Sequence, residues 1–302
     1  MRFEKWQALG NDYLIVERDE LPFALTPVRI LRLCERHFGA DADGVLLLSP
    51  AENPEHVADL RIFNADGSEA ELSGNGAREA ILYLRRRGWT DRDEFAIGTA
   101  AGEIRPTITG PNTCTVDMGR ASLTSKDYPG GAPDGRGTLT TAGWNGSTAT
   151  RTWQFRHVSI GNPQCAIHIA DMTEMQLFEL DRIGPEIEGH ELFPNRTNVS
   201  MYTEIEPHRI RARIFERGVG ETLSSGTGAT GAAVAYVLER TADQAPRTGS
   251  ERVTVALDGG ELEVEVGEEL QVSLTGWARP VYEGRLSDEF VNELMKEIDE
   301  TE

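Results

Sequence analysis

The chain has 302 residues, 39% of them hydrophobic, which at roughly 150 residues per domain is material for two cores and excludes a disordered chain or a small disulfide-held scaffold. Thirty Lys and Arg against fifty Asp and Glu leave a formal net charge of −20, a field that repels phosphate backbones and anionic lipid, so neither nucleic acid nor a membrane surface is expected as a partner. Cys34, Cys114 and Cys165 are odd in number, far apart and without metal-site spacing, so the expectation is buried, reduced thiols in a soluble cytoplasmic protein.

No apolar run nears the ~20 residues that span a bilayer, and Met1 to Lys5 read as folded sequence rather than as a signal peptide. Residues 13–16 read as a first strand. A helix is predicted from about 27 to 37: Thr26 can cap it, Pro27 suits its first position and Gly39 follows its end. Cys34 then shares a face with Ile30, Leu31 and Leu33, which favours core over chemistry. Residues 44–48, 60–63, 211–215 and 262–266 read as further strands, several with period-two alternation, and Asp258-Gly259-Gly260 is a hairpin signal. Between about Lys126 and Gly146 the chain is rich in Gly, Pro, Asp and Thr, and the domain boundary is placed just before it, giving domains of 1–125 and 126–275. In the tail, Ser287 can cap a helix whose Phe290, Val291, Leu294, Met295 and Ile298 form one stripe, expected to pack on a domain edge or to serve a dimer interface, the former favoured.

Two segments repeat, offset by about half the chain. Ser73, Gly74, Gly76 and Ala77 align with Ser225, Gly226, Gly228 and Ala229, Glu69 aligns with Glu221, and Ala80 with Ala232. Duplication of one ancestral unit accounts for this. Each copy reads as strand, turn, then Ser-Gly-x-Gly-Ala opening a helical pattern, with Ile81, Leu82 and Leu84 apolar in the first and Ala233, Val234 and Val237 in the second. One such loop alone needs no chemistry, because serine is a favoured helix cap and glycine tolerates the turn. Two facing copies would aim two sets of N–H groups and two positive dipole ends at one point, a site for a carboxylate. Phosphate is the competing ligand, but neither loop carries the lysine of Gly-x-x-x-x-Gly-Lys-Ser/Thr or completes Gly-x-Gly-x-x-Gly.

At these residues the sequence resembles the diaminopimelate epimerase family of cofactor-independent amino-acid racemases and epimerases. The motifs are Leu9-Gly10-Asn11-Asp12-Tyr13, Phe38-Gly39-Ala40-Asp41-Ala42-Asp43-Gly44, Asn64-Ala65-Asp66-Gly67-Ser68-Glu69, Ser73-Gly74-Asn75-Gly76-Ala77-Arg78, Gly161-Asn162-Pro163, Pro194 to Val199, Glu216-Arg217-Gly218 and Thr275-Gly276. The resemblance implies an α/β (α+β) fold of two pseudo-symmetric domains, each an antiparallel sheet wrapped around a central helix, with the active site in the cleft and 276–302 returning to the first domain. It implies an isomerase that inverts one α-carbon of LL-2,6-diaminopimelate to the meso form, for lysine and peptidoglycan synthesis, with neither cofactor nor metal. One cysteine thiolate would remove the α-proton and a second cysteine, as thiol, would deliver one to the opposite face. By position, Ser73 and Ser225 occupy those two acid/base places. Asn11, Asn64, Asn162, Asn198, Glu216 and Arg217 match substrate-contacting positions, with Arg217 gripping the distal carboxylate and the asparagines and Glu216 fixing the distal ammonium. Gly74, Asn75, Gly226 and Thr227 would supply backbone donors to the reacting carboxylate. Taken singly, Asn64 and Asn162 read as turn residues, and Arg217 beside Glu216 as a surface ion pair.

The chain departs from the implied pattern at both acid/base positions. A thiol near pKa ≈ 8.5 is readily shifted to thiolate at a helix N-terminus, whereas a serine hydroxyl needs an adjacent base. After Gly161-Asn162-Pro163, where the resemblance implies histidine, stands Gln164, which carries no proton; His157 lies nearby, and a lone histidine on a strand is more often structural. The paired serines fit a natural variant with another means of activation, substitutions introduced to trap a complex, or a protein that binds without reacting. Two other functions stay open: a racemase, epimerase or dehydratase for another amino acid such as hydroxyproline, and a non-catalytic amino-acid-binding homologue. A distal clamp of Arg217, Asn64 and Asn198 favours a long substrate with a second charged end.

Overall fold

The computed structural model describes residues 1–71, 73–142, 150–240 and 249–296. The chain divides into two compact units, Met1–Val116 with Gly276–Glu302 and Asp117–Thr275. In chain order the first unit holds β1 (Arg2–Ala8), β2 (Asn11–Glu17), α1 (Pro27–Cys34), β3 (Gly44–Ser49), β4 (Asp59–Asn64) and β5 (Glu69–Ala70). Then follow α2 (Gly74–Arg86), β6 (Ile97–Thr99), β7 (Gly102–Ile104), β8 (Pro106–Gly110) and β9 (Thr113–Arg120), within which the chain leaves the unit. The second unit holds β10 (Arg136–Thr141), β11 (Arg151–Ser159), β12 (Pro163–His168), α3 (Met172–Leu177), α4 (Leu180–Glu188), β13 (Asn198–Glu206), β14 (Arg209–Glu216) and β15 (Gly220–Thr222). It continues through α5 (Gly226–Arg240), β16 (Glu251–Leu257), β17 (Gly260–Val266) and β18 (Gln271–Trp277), within which the chain returns to the first unit, where β19 (Arg279–Arg285) and α6 (Asp288–Lys296) follow.

Both units follow one plan. The first sheet runs β19-β1-β2-β3-β4-β6-β7 with β5 beside β4; the second runs β10-β11-β12-β13-β14-β16-β17 and on to β18, with β15 beside β14. The sheets are mixed. Parallel joins occur at β2·β3 and β4·β6, and again at β12·β13 and β14·β16, while the neighbouring β1·β2, β3·β4, β11·β12 and β13·β14 joins are antiparallel. A parallel pair needs a long crossover, and α1, α2, α5 and the α3–α4 pair supply it.

Each sheet wraps one central helix. In α2 every residue from Asn75 to Leu84 is buried, and in α5 burial runs unbroken from Gly228 to Val237. Helix α5, apolar on nearly all sides, belongs inside a core, and its Gly and Ala content lets strands come close, whereas α2 buries Asn75, Arg78 and Glu79 along with its apolar residues. At Gly231 an added Cβ would stand 2.8 Å from the Cβ of Gln164.

Details differ from the sequence reading. Helix α1 starts on the Thr26 cap, whose side chain accepts from Arg29 N–H, but ends at Cys34 because Glu35 turns extended, takes the N–H groups of His37 and Phe38 on its carboxylate, and lets Ala40 N–H bond back to Leu33 O at 2.7 Å. Ile30, Leu33 and Cys34 point inward; Leu31 does not, being 49% exposed. The expected boundary lies just before Lys126, whereas the chain passes from one unit to the other between Val116 and Asp117, inside β9; β10 lies inside the Gly- and Pro-rich stretch, of which 143–146 falls outside the described residues. Helix α6 has Phe290 N–H on Ser287 Oγ at 3.2 Å and sinks Val291 and Leu294 among Phe3, Ile30 and Leu33 of its own unit, whereas Met295 is exposed and Ile298 lies outside the described residues. Arg29 Nε donates to Leu294 O at 2.8 Å and ties α6 to α1. No helix among the described residues is long and apolar enough to cross a membrane.

Candidate functional site

In the first unit Ser73 caps α2, accepting from Gly76 N–H at 3.1 Å. Its Oγ also accepts from the Tyr13 hydroxyl at 3.3 Å. Behind the loop runs a chain of side-chain bonds: Asn75 Nδ2 donates to Asn11 Oδ1 at 3.2 Å, Asn11 Nδ2 to Asp43 Oδ2 at 2.8 Å, and Arg78 Nη2 to Asn75 Oδ1 at 2.6 Å. Arg78 Nη1 reaches Gly74 O at 2.9 Å, so one buried guanidinium braces both Gly74 and Asn75. Burial pushes the Arg78 pKa down and pushes the neighbouring Glu79 carboxyl well above the usual carboxylate range. Asn64 is bonded within its own exposed turn, through Nδ2 to Ser68 Oγ at 3.0 Å.

In the second unit Ser225 takes the same place before α5, accepting from Gly228 N–H at 3.3 Å. Its hydroxyl donates to Glu216 Oε2 at 3.0 Å, while Thr222 Oγ1 donates to Glu216 Oε1 at 2.8 Å. The β14–β15 hairpin makes this possible, bringing Glu216 opposite Gly220 and folding Thr222 back. Burial raises the Glu216 pKa, and the two hydroxyl donors only partly oppose it. The remaining residues form a second net. Asn162 Nδ2 donates to Thr227 Oγ1 at 3.2 Å and Gln164 Nε2 to Asn162 Oδ1 at 2.8 Å. Asn198 donates to Pro163 O at 3.0 Å and accepts from Arg217 N–H at 2.8 Å, and Arg217 Nη1 donates to Asn195 O at 3.0 Å.

The duplication extends to charge. Arg61 forks Glu69 at 2.8 and 2.7 Å, and Arg213 forks Glu221 at 2.7 and 2.8 Å, in equivalent strand pairs. The sequence reading missed Tyr13, Thr222, Asp43, Arg78 and Glu188. The last accepts from Gly218 N–H at 2.8 Å and from Arg196 Nη1 at 3.0 Å, and so pins the turn after Arg217. Of these only Tyr13, Asp43 and Arg78 stood inside quoted motifs, and nothing in one sequence marks their partners.

His157 is fully buried beside Ser125 Oγ, 2.9 Å from Nε2, with its pKa pushed down to about 4 by burial, so the ring is neutral and structural. All three cysteines are free and buried, and burial pushes Cys34 and Cys114 up to about 12 and raises Cys165 as well. None of them is a thiolate at neutral pH. Among the described residues no group of three His, Cys, Asp or Glu is placed to hold a metal ion.

The family model described as diaminopimelate epimerase matches residues 3–124 and 156–281. A diaminopimelate epimerase of Synechococcus sp. (strain JA-3-3Ab) is 37% identical over 293 residues, 95% of this chain and 99% of that one. Two solved structures share the fold: a Bacillus anthracis phenazine biosynthesis protein of the PhzF family, with TM-score 0.65 at 14% identity over 95% of this chain and 99% of that one, and a hydroxyproline epimerase from Agrobacterium vitis, with TM-score 0.63 at 15% identity over 94% and 91%.

Proposed function

The chain belongs to the diaminopimelate epimerase family, and from that membership we propose that it inverts the α-carbon at one end of LL-2,6-diaminopimelate to give the meso form, using Ser73 and Ser225 as its two acid/base groups. An α-proton beside a carboxylate is a weak acid, and its removal builds negative charge. In this reading Gly74, Asn75, Gly226 and Thr227 offer the first N–H groups of α2 and α5 to the reacting carboxylate, where the positive helix ends stabilise that charge. Arg217, with Asn11, Asn64, Asn162 and Asn198, holds the distal charged end and sets the register of the substrate.

The observation that carries the reading is the 3.0 Å hydrogen bond from Ser225 Oγ to the Glu216 carboxylate. A hydroxyl becomes a competent base only when another base takes its proton, and Glu216 stands ready for that. Ser225 Oγ takes the α-proton as its own proton passes to Glu216. The C–H electron pair stays on carbon, spread into the carboxylate, and Ser73 supplies a proton from the opposite face. Glu216 thus acts through Ser225, a different task from fixing the distal ammonium.

The test is incubation of pure protein with LL-diaminopimelate in deuterated water. Deuterium at the α-carbon together with meso product is expected. Saturable binding with no exchange at any pH would instead make the chain a binder, and exchange seen only with hydroxyproline would reassign the substrate.

A further inference from the structure

The two serine hydroxyls each accept one backbone N–H, from Gly76 at Ser73 and from Gly228 at Ser225, and differ in their side-chain partner. Ser225 gives its proton to an acceptor, the Glu216 carboxylate. Ser73 Oγ instead receives a second donor, Tyr13 O–H at 3.3 Å, beside Gly76 N–H at 3.1 Å. An acceptor helps a hydroxyl lose its proton to the protein; two donors stabilise the oxygen after its proton has gone elsewhere.

The Tyr13 ring is held where it can do this. It lies in β2, 5% exposed, opposite Trp6 of β1. Gly44 at the start of β3 leaves the space it occupies: a Cβ there would stand 2.6 Å from Tyr13 Cε1 and 2.1 Å from Phe63 O. At Gly76, in the first turn of α2, a Cβ would stand 3.4 Å from Tyr13 Cε2. The ring is therefore wedged between a strand and the first turn of the helix that Ser73 caps. A buried phenol needs a partner for its hydroxyl, and this packing turns it toward Ser73 Oγ.

We propose that Tyr13 is the positioning residue of Ser73, holding its Oγ so that Ser73 is the proton donor of the pair. The inference rests on the epimerase reading above and assigns an order within it. The Ser73 O–H bond breaks as the new C–H bond forms, and the electron pair left on Oγ, steadied by Gly76 N–H, takes the proton that Tyr13 donates, because a phenol is a stronger acid than an alcohol. Solvent then returns a proton to the Tyr13 phenolate before the next turnover. Ser225 with Glu216 is the base for the same turnover.

Tyr13→Phe keeps the ring and removes only the hydroxyl. With LL-diaminopimelate, kcat is expected to fall about tenfold or more while KM stays within about twofold, because one donor to a developing anion is lost and no substrate contact is touched. A ring that merely fills space predicts an unchanged kcat, and that result, or a loss confined to KM, overturns the proposal. Should Tyr13→Phe fail to fold, 3-fluorotyrosine in place of Tyr13 offers a more acidic donor, for which kcat is expected to rise and an unchanged kcat overturns. The unsubstituted chain is run alongside: if it shows neither exchange nor product, the epimerase reading falls and this inference with it, whereas an active chain with a silent Tyr13→Phe sinks the inference alone.

Discussion

Ser225 and Glu216 are nine positions apart along the chain yet share a hydrogen bond of 3.0 Å, closed by the β14–β15 hairpin. Glu216→Gln keeps the shape and removes the base. General-base assistance contributes roughly 10²–10⁴ in rate, so kcat is expected to drop by at least about 10² with little change in KM. A steady-state assay of both proteins decides it, and a variant retaining full kcat would detach Glu216 from the chemistry.

The raised Glu216 pKa has two readouts in pH. In the proposed mechanism Glu216 works as the ionised carboxylate, so the rate is expected to fall as pH drops through a value above the ordinary carboxylate range. Stability runs the other way. The folded state holds this proton more tightly than the unfolded state, so the contribution of Glu216 is most favourable at or below the ordinary carboxylate pKa and is lost as pH rises through the raised one. Glu216→Gln has no such dependence, and its melting temperature relative to the parent is expected to improve between acid and neutral pH.

Cysteine in both serine positions is the companion change. A thiol at a helix N-terminus ionises near neutral pH without help, so Ser73→Cys with Ser225→Cys is expected to raise kcat on the order of tenfold or more. A lower rate in the doubly substituted protein would mean that the hydroxyls and their partners are better matched to the site than thiols.

The two Arg–Glu forks are chemically alike and unequally buried. Arg213 is shielded and also donates to Met175 O and Phe178 O, at 3.0 and 2.7 Å, whereas Arg61 is half exposed. Arg213→Ala is expected to cost about 2–3 kcal/mol by stranding a carboxylate and two carbonyls, and Arg61→Ala under about 1 kcal/mol. Urea unfolding of both variants tests the ranking, and equal losses would refute it.

A net charge of −20 repels itself. Raising salt from about 10 mM to about 1 M shortens the screening length from roughly 30 Å to 3 Å, so the melting temperature is expected to climb with salt. A falling one would mean that surface ion pairs outweigh the repulsion.

What could be read in the sequence was local. Thr26 and Pro27 announce the start of α1, and Ser73 and Ser225 announce the helices they precede, because a cap acts on the three residues after it. The end of α1 was not legible, since it depends on Glu35 and Ala40 closing a turn that competes with another helical turn. The parallel joins were invisible for a different reason: period-two alternation gives the face of a strand and not the direction of its neighbour. At the site, residue types were legible and their partners were not. Tyr13 and Ser73 are sixty positions apart, and their contact follows from the packing of β2, β3 and α2 rather than from any spacing.

The sealed cysteines carry one last consequence. With every cysteine buried and hydroxyls in the two proposed acid/base positions, no thiol of the proposed site is there for peroxide to convert into a sulfenic acid. Turnover is expected to persist in aerated medium without added reductant, and an hour with iodoacetamide to leave the rate unchanged.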